Sequence, residues 1–355
     1  MADTREVLGW ASMTAMVNEV KPPHKFVREL LFNNEDVRPT ETLEVGILIG
    51  DRVVAPFVRR GAEAVEVTPF TERIYNISFP NISIKRHLES GELIFNRRVG
   101  HVIFADESEI VDAAQEHIAR NSLRLVQMVE EAEEYLCAQA LRGSISYEVD
   151  GEESFSVTFP RDTDHDVTLM EFWDDMNPEI LTNFRSAKRL INEATGLNAT
   201  HVILGEEATD QFLADEAVQS ILDNRRIEAG ALQLDQRFEQ SGAERLGRFG
   251  GLEVWSYTRA TQVPSEPSLN ATASFDLIRS KYAEFVTASP QAENVMYFGA
   301  IDDIDALEGR LIASRRFSKS WKQPDPSVMW QLLKSRPLPI MRRPDSTVSM
   351  KVISG

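Results

Sequence analysis

The chain is 355 residues long, 42% hydrophobic and 26% charged, which is ordinary for a globular protein and long enough for two lobes or one elaborated domain. No apolar run approaches the roughly 20 residues of a membrane span. A single cysteine, Cys137, excludes an internal disulfide or a cysteine zinc cluster, and a net charge of −18 argues against a protein whose main task is gripping phosphates. The N-terminal MADTREVLGWASM lacks a charged-then-apolar leader pattern, so the chain is expected to stay in the compartment where it is made.

In chain order, the first 40 residues mix helical pieces with KPPHK and NNEDVRPT, which are turn and extended signals; they are expected to be an arm rather than core. Short β-type runs follow around Val45 to Ile49 and Val53 to Val58. From Val65 to Leu88 the chain alternates like a strand with one wet face, but the alternation slips. Val65, Val67, Tyr75, Ile77 and Phe79 are odd, whereas Ile82 and Ile84 are even, and one residue of slip exchanges the faces of a strand. Pro69 and Pro80 each remove a ladder donor, so the stretch is expected to be a bent ribbon with exposed edges and little part in its own core.

From Asp106 the period changes to about 3.6. Asp106 or Ser108 can cap a helix whose stripe is Val111, Ile118, Leu125, Val129, Ala132 and Leu136, with Gly143 as the stop. About 34 residues at 1.5 Å each make a strut of roughly 50 Å. SISYEVDGEESFSVTFP then alternates on both sides of Asp150-Gly151, a hairpin signal. An α/β stretch follows: a helix from about Pro178 to Thr195, a strand at HVILG, helices to about Asn224, and a hairpin turning at Gly250-Gly251 into LEVWSY. Residues 258–292 are expected to be loop-rich with some helix, ENVMYFGAI is a strand, and RLIASRRFSKSW, VMWQLLKS and STVSMKV alternate again. The order predicts an α+β chain with its central part inserted between two parts of one sheet-bearing lobe.

Signatures of catalysis are missing: GRFGG at Gly247 has the wrong spacing for a dinucleotide loop and is expected to be a hairpin turn, and no Walker loop, H-E-x-x-H or G-x-S-x-G is present. Asp162, Asp164, His165 and Asp166 have metal-ligand flavour but lack the glycine and distant glutamate of a calcium loop. They are the residues a metal-dependent enzyme would use, and a solvated interdomain turn is the plainer reading.

Charge is segregated. Residues 310–355 hold ten Lys/Arg against two acids, so this part carries +8 and the remainder −26. Such segregation suits a chain whose own parts, or whose copies, meet through opposite charges, with a solvated basic face as the plainer reading, and Lys85, Arg86, Arg97, Arg98, Arg315, Arg316, Arg342 and Arg343 are the expected intersubunit contacts. Trp321 and Trp330, set among basic residues, could stack on nucleic acid, but the overall acidity favours aromatic anchors between subunits.

The words EVTPFTERIYNISFPNISIKRHL, ESEIVDAAQEHIARNSLRLVQMVEEAEEYLCAQALRG, SYEVDGEESFSVTFPR and SRRFSKSWKQPDPSVMWQLLKSRPLPIMRRPDSTVSMKV, in this order, resemble the major capsid proteins of tailed bacteriophages, most closely the lambda-type (capsid protein E) family. The resemblance implies the HK97-type fold: an N-terminal arm with entry strands (1–55), an extended loop (56–105), a peripheral domain whose first part holds the spine helix and hairpin (106–165), an axial domain (166–300), and a peripheral C-terminal return (301–355). It implies a structural protein without catalytic residues or cofactor that self-assembles as hexamers and pentamers into an icosahedral head. The partners it implies are a separate scaffolding protein, a portal, double-stranded DNA held without sequence-specific binding, and in some relatives a decoration protein; none is a membrane. The implied location is the virion, with assembly in the host cytoplasm. An encapsulin-like compartment of the same fold is the alternative. Some relatives cross-link Lys to Asn between subunits, but no motif places Lys85 in that role.

Overall fold

A computed structural model describes residues 10–19, 25–49, 71–89, 107–149, 153–176, 178–220, 241–264, 272–308, 312–325 and 328–355. The expected strand around Val53 to Val58, the proposed cap at Asp106, the Asp150-Gly151 turn, and Arg97 and Arg98 lie outside these residues. Helices α1 (Trp10–Glu19) and α2 (Phe26–Leu31) occupy the segment expected to be an arm. The second helix is core instead: Phe26 and Val27 are fully buried and Leu31 and Phe32 nearly so. Phe26 sits 5.3 Å from the Trp255 ring and 5.2 Å from Tyr257. A six-residue helix has too little length to show a period, which hides its role in the sequence.

Strand β1 (Asn34–Val37) pairs with β14 (Asn294–Phe298), which also pairs with β17 (Pro337–Met341). Strand β2 (Thr42–Ile49) forms an antiparallel ribbon with β3 (Thr71–Ser78). Leu43, Val45, Ile47, Ile77 and Phe79 from this ribbon enter the largest core cluster. After Pro80 the chain changes sheets. Strand β4 (Ile82–Glu89) leaves β2 and pairs with β16 (Val328–Ser335), which pairs in turn with β15 (Phe317–Gln323). The phase slip is therefore a change of partner: Tyr75, Ile77 and Phe79 face one core, and Ile82 and Ile84 face another, around Val17, Leu125, Val126, Val129 and Leu333. The feet of the ribbon are thus structural, which corrects the expectation that Ala64 to Lys85 contribute little to the core.

Helix α3 (Glu107–Leu141) has 35 residues and a length of about 52 Å. Gly143, at φ 96°, ends it, and the Arg161 guanidinium donates to the terminal carbonyls of Leu141 (3.3 Å) and Arg142 (3.4 Å), where cations are favoured. The expected stripe holds at Ile118, Leu125, Val129 and Leu136, while Ala132 is only half-buried. Beyond Val129 the helix is buried on several sides, so polar positions become interior as well. The hairpin β5 (Ser144–Val149) and β6 (Glu153–Thr158) follows as expected.

The second core lies on a six-stranded sheet ordered β7-β18-β13-β8-β10-β9. Its strands are β7 (Asp166–Thr168), β8 (His201–Leu204), β9 (Ala243–Phe249), β10 (Leu252–Tyr257), β13 (Tyr282–Val286) and β18 (Thr347–Lys351), with helices α4 (Ile180–Thr195) and α5 (Glu206–Ala214) beside them. Phe184 of α4 meets Phe249 and Phe285 edge-on at 5.1 Å each. Residues 258–292 differ from expectation. They contain β11 (Ala260–Pro264), its partner β12 (Thr272–Asp276) and β13, and a two-stranded ribbon needs no apolar run to announce it. Strand β17 was hidden by Pro337 and Pro339, which an edge strand tolerates. The short helix α6 (Ile304–Glu308) completes the elements. The boundary expected at 300/301 is not a sheet boundary, because the C-terminal return visits three sheets and ends with β18 between β7 and β13.

Candidate assembly surface and the charge cluster beside it

The β15-β16-β4 sheet has two unlike faces. One is covered: Gln331 donates to the Ile118 carbonyl (3.3 Å), Thr14 of α1 donates to the Ser318 carbonyl (2.9 Å), and Leu333 packs on Leu125 and its neighbours. On the other face the register sets Trp321, Trp330 and His87 in one row across the three strands. The two indoles stack at 6.3 Å and 18°, His87 lies 5.3 Å from Trp330, and the Lys85 ammonium sits 5.1 Å over the same ring. Trp330 is anchored by donating Nε1–H to Gln323 at 2.8 Å. Trp321 keeps 39% of its surface exposed. A rigid aromatic row with a cation on it, backed by a packed sheet, is suited to receive a partner.

The remaining expected contact residues divide. Arg316 is corrected: with 1% of its surface exposed it cannot reach another subunit, and it sits 3.0 Å from Glu130 and 3.2 Å from Glu133 of its own chain. Arg315 is half-buried, 3.5 Å from Glu35 and 3.7 Å from Glu133. Arg342 pairs with Glu293 at 2.7 Å and reaches the Gly46 carbonyl, and Arg343 is half-buried and also engaged. Arg86 is half-buried on the helix side of β4, and Lys85 is open.

Arg315 and Arg316 belong to a buried ionic cluster that the sequence reading missed. Glu130, Glu133 and Glu134 of α3 are all fully buried. Arg28 of α2 lies 2.6 Å from Glu133 and also pairs with Glu35. Burial pulls the Arg28 pKa down, and the two carboxylates more than reverse it. Glu134 has backbone partners: it accepts from the N–H groups of Val27 (2.9 Å) and Arg28 (3.1 Å), capping α2 from another helix, and from the Tyr257 hydroxyl (3.1 Å). Burial pushes the pKa of Glu130 and of Glu134 above the ordinary range, against the pull of those partners. Glu131 holds Lys25 on one side and Arg259 on the other. The only sequence signal was EEAEE itself, which reads as a solvated face until the helix is known to run through the interior.

The acidic turn is structural. Asp162 accepts from the N–H of Asp164 (3.2 Å), His165 is buried with Nδ1 3.0 Å from the Thr347 carbonyl, and Asp166 pairs with Arg161. Among the described residues no group of His, Cys, Asp and Glu could hold a metal. Cys137 is buried in α3, and burial raises its thiol well above the usual range.

The phage major capsid protein E family matches residues 9–352. The chain belongs to that family. It is 26% identical over 165 residues to the major capsid protein of Escherichia phage N15, covering 45% of this chain and 46% of that protein. It is 27% identical over an equal length to the major capsid protein of Enterobacteria phage phi80. The chain spans about half the length of these curated relatives. A prophage capsid protein of E. coli CFT073 shares the fold with TM-score 0.72 at 14% identity, covering 98% of this chain and 99% of that one. The mature capsid subunit of bacteriophage PhiM1 aligns with TM-score 0.50 at 10% identity over 94% and 88% of the two chains. The fold is the HK97-type capsid fold, and the family is one of structural, shell-forming proteins rather than enzymes.

Proposed function

We propose that copies of this chain assemble as hexamers and pentamers into the icosahedral head of a tailed phage, around double-stranded DNA and in the host cytoplasm. The observation that carries the reading is the Trp321-Trp330-His87 row, an aromatic face with a cation on which Trp321 keeps 39% of its surface exposed. Strands β3 and β4 serve as the two feet of an extended loop within 56–105 that reaches over a neighbour, with Lys85, Arg97 and Arg98 among its contacts. A net charge of −18 suits a wall that must not bind phosphates tightly, since adhesion would hinder packing and ejection. A separate scaffolding protein and a portal complete the assembly.

Sedimentation and negative-stain microscopy of the purified chain test this. Particles or capsomers support it, and a monomer at all concentrations and salts overturns it. Trp321→Ala with Lys85→Glu should abolish particles while leaving the melting temperature unchanged; normal particles would remove the aromatic face from the contact. Particles from induced cells that carry protein and no nucleic acid would replace the DNA by a protein cargo.

A further inference from the structure

We propose that the loop from Leu169 to Met176 is a reversible oxidation site of the unassembled subunit, at which a peroxide converts Met170 and Met176 to sulfoxides while the fold stays intact. This goes beyond the shell reading and does not depend on it.

The sulfur atoms of this chain are sorted by exposure. Met170 keeps 98% and Met176 99% of its surface in water. Met13, Met296, Met329, Met341 and Met350 are buried inside the core clusters, and Met128 on α3 is intermediate at 41%. The single thiol does not compete. Cys137 is buried in α3, and burial holds it so far above the usual range that the thiolate, the form that attacks a peroxide, is scarce. Among the described residues, a peroxide arriving from water therefore meets these two thioethers first, and both lie on one loop.

The loop is held without them. Leu169 donates its N–H to the Lys351 carbonyl (3.3 Å), and Trp173 donates its N–H to the Val352 carbonyl (2.8 Å). Asp175 accepts from the Phe172 N–H (2.6 Å), and Asp174 accepts from the Ser354 N–H (3.2 Å). The Trp173 ring is buried 6.3 Å from Phe184 and 6.2 Å from Phe212, and the Lys351 ammonium sits 6.0 Å over the Phe172 ring. None of these contacts uses a thioether. The backbone that presents the two methionines is thus fixed by groups that oxidation leaves unchanged.

The step balances without a cofactor. A sulfur lone pair takes one oxygen of hydrogen peroxide: an S–O bond forms, the O–O bond breaks, and the departing hydroxide takes up a proton as water. Sulfur loses two electrons and the peroxide gains them. Methionine sulfoxide reductases reverse the change, one enzyme for each sulfoxide epimer. A thioether is apolar and a sulfoxide is a hydrogen-bond acceptor, so oxidation turns two apolar knobs among Glu171, Asp174 and Asp175 into a loop that is polar throughout. The same product in a core would be a buried polar group without a partner. Exposure therefore makes this loop reactive and keeps the change out of the cores.

Hydrogen peroxide titration of the full chain, kept dilute enough to stay unassembled and followed by peptide mass spectrometry, tests the site. Met170 and Met176 should gain oxygen at least about tenfold faster than the five buried methionines, which react only through local opening. The doubly oxidised chain should keep its melting temperature and elute earlier from a hydrophobic-interaction column. Treatment with both sulfoxide reductases and a thiol should restore the original mass and elution. Met170→Leu with Met176→Leu should remove the fast phase, and Met170→Gln with Met176→Gln should elute like the oxidised chain. Equal rates at exposed and buried methionines, or oxidation of Cys137 before either loop methionine, overturn the proposal. So does a fall in melting temperature that accompanies the first two oxygens. A chain that never assembles would overturn the shell reading and leave this one standing.

Discussion

At the scale of single residues, the cluster on α3 separates two neighbouring arginines. Arg316, 1% exposed, lies between Glu130 and Glu133, and removing it takes a cationic partner from two fully buried carboxylates. Breaking one side of a buried ion pair costs about 3–5 kcal/mol, whereas a half-exposed pair is worth about 1 kcal/mol or less. Arg316→Ala should therefore lower unfolding free energy several times more than Arg315→Ala; equal effects in denaturant titrations would contradict the buried cluster. Glu134 adds a pH dependence. Its folded pKa is raised above the ordinary 4.5 by burial, so the native state holds a proton that the unfolded chain has already released. Its contribution is complete below the ordinary value and is lost as pH rises through the folded one. Glu134→Gln, which has no proton to lose, should show its largest deficit against wild type at the acid end, with the gap narrowing as pH rises. A gap that widens with pH would mean that the three donors hold the carboxylate ionised.

At the scale of elements, the junction at Pro80 shows what a period can and cannot reveal. The alternation and its slip were legible, because Ile77 and Phe79 on one side and Ile82 and Ile84 on the other obey the two-residue rule. The partner was not, since nothing in a strand's own sequence says that β3 pairs with β2 nearby while β4 pairs with β16 some 240 positions away. The same limit hid the core role of Phe26 and the cluster at Glu130, Glu133 and Glu134, where the environment, not the pattern, makes a charged residue interior. The fold at this junction is tight: a Cβ on Gly299 would lie 2.5 Å from the Phe79 ring. Gly299→Ala should thus cost about 1–3 kcal/mol as an overpacked site, and a neutral effect on thermal unfolding would show that Phe79 has room to shift. Excising Ala64 to Lys85 removes β3 with Ile77 and Phe79 as well as half of β4. It should give an unfolded or aggregated chain, and a cooperative melt from that deletion would restore the view of the ribbon as an appendage.

At the scale of the whole molecule, the long helix, the hairpins and the two-part organisation follow from sequence pattern, but the way the parts are tied does not. After β15 and β16 the chain lays β17 beside β14 and then threads β18 between β7 and β13. A tail that ends in the middle of a sheet is a structural member, with Val348 and Met350 fully or almost fully buried among the residues of α4 and β13. Its register with β13 covers five residue pairs and with β7 three. Truncation before Thr347 would leave two strands without their shared partner and open the backbone donors and acceptors of both to water or to a second chain. The basic composition of the tail suggests a removable, solvated face, and the topology makes the opposite claim. Deleting residues 347–355 should destroy the cooperative thermal transition of the entire subunit, because β7 and β13 lose their shared partner and the same sheet also supplies Ile203, Trp255 and Val286 to the larger core. Far-UV circular dichroism and limited proteolysis decide the outcome. A truncated chain that melts cooperatively near the wild-type temperature would show that the six-stranded sheet closes without its inserted strand, and loss of only the α4 region to protease would show that the two cores fold independently.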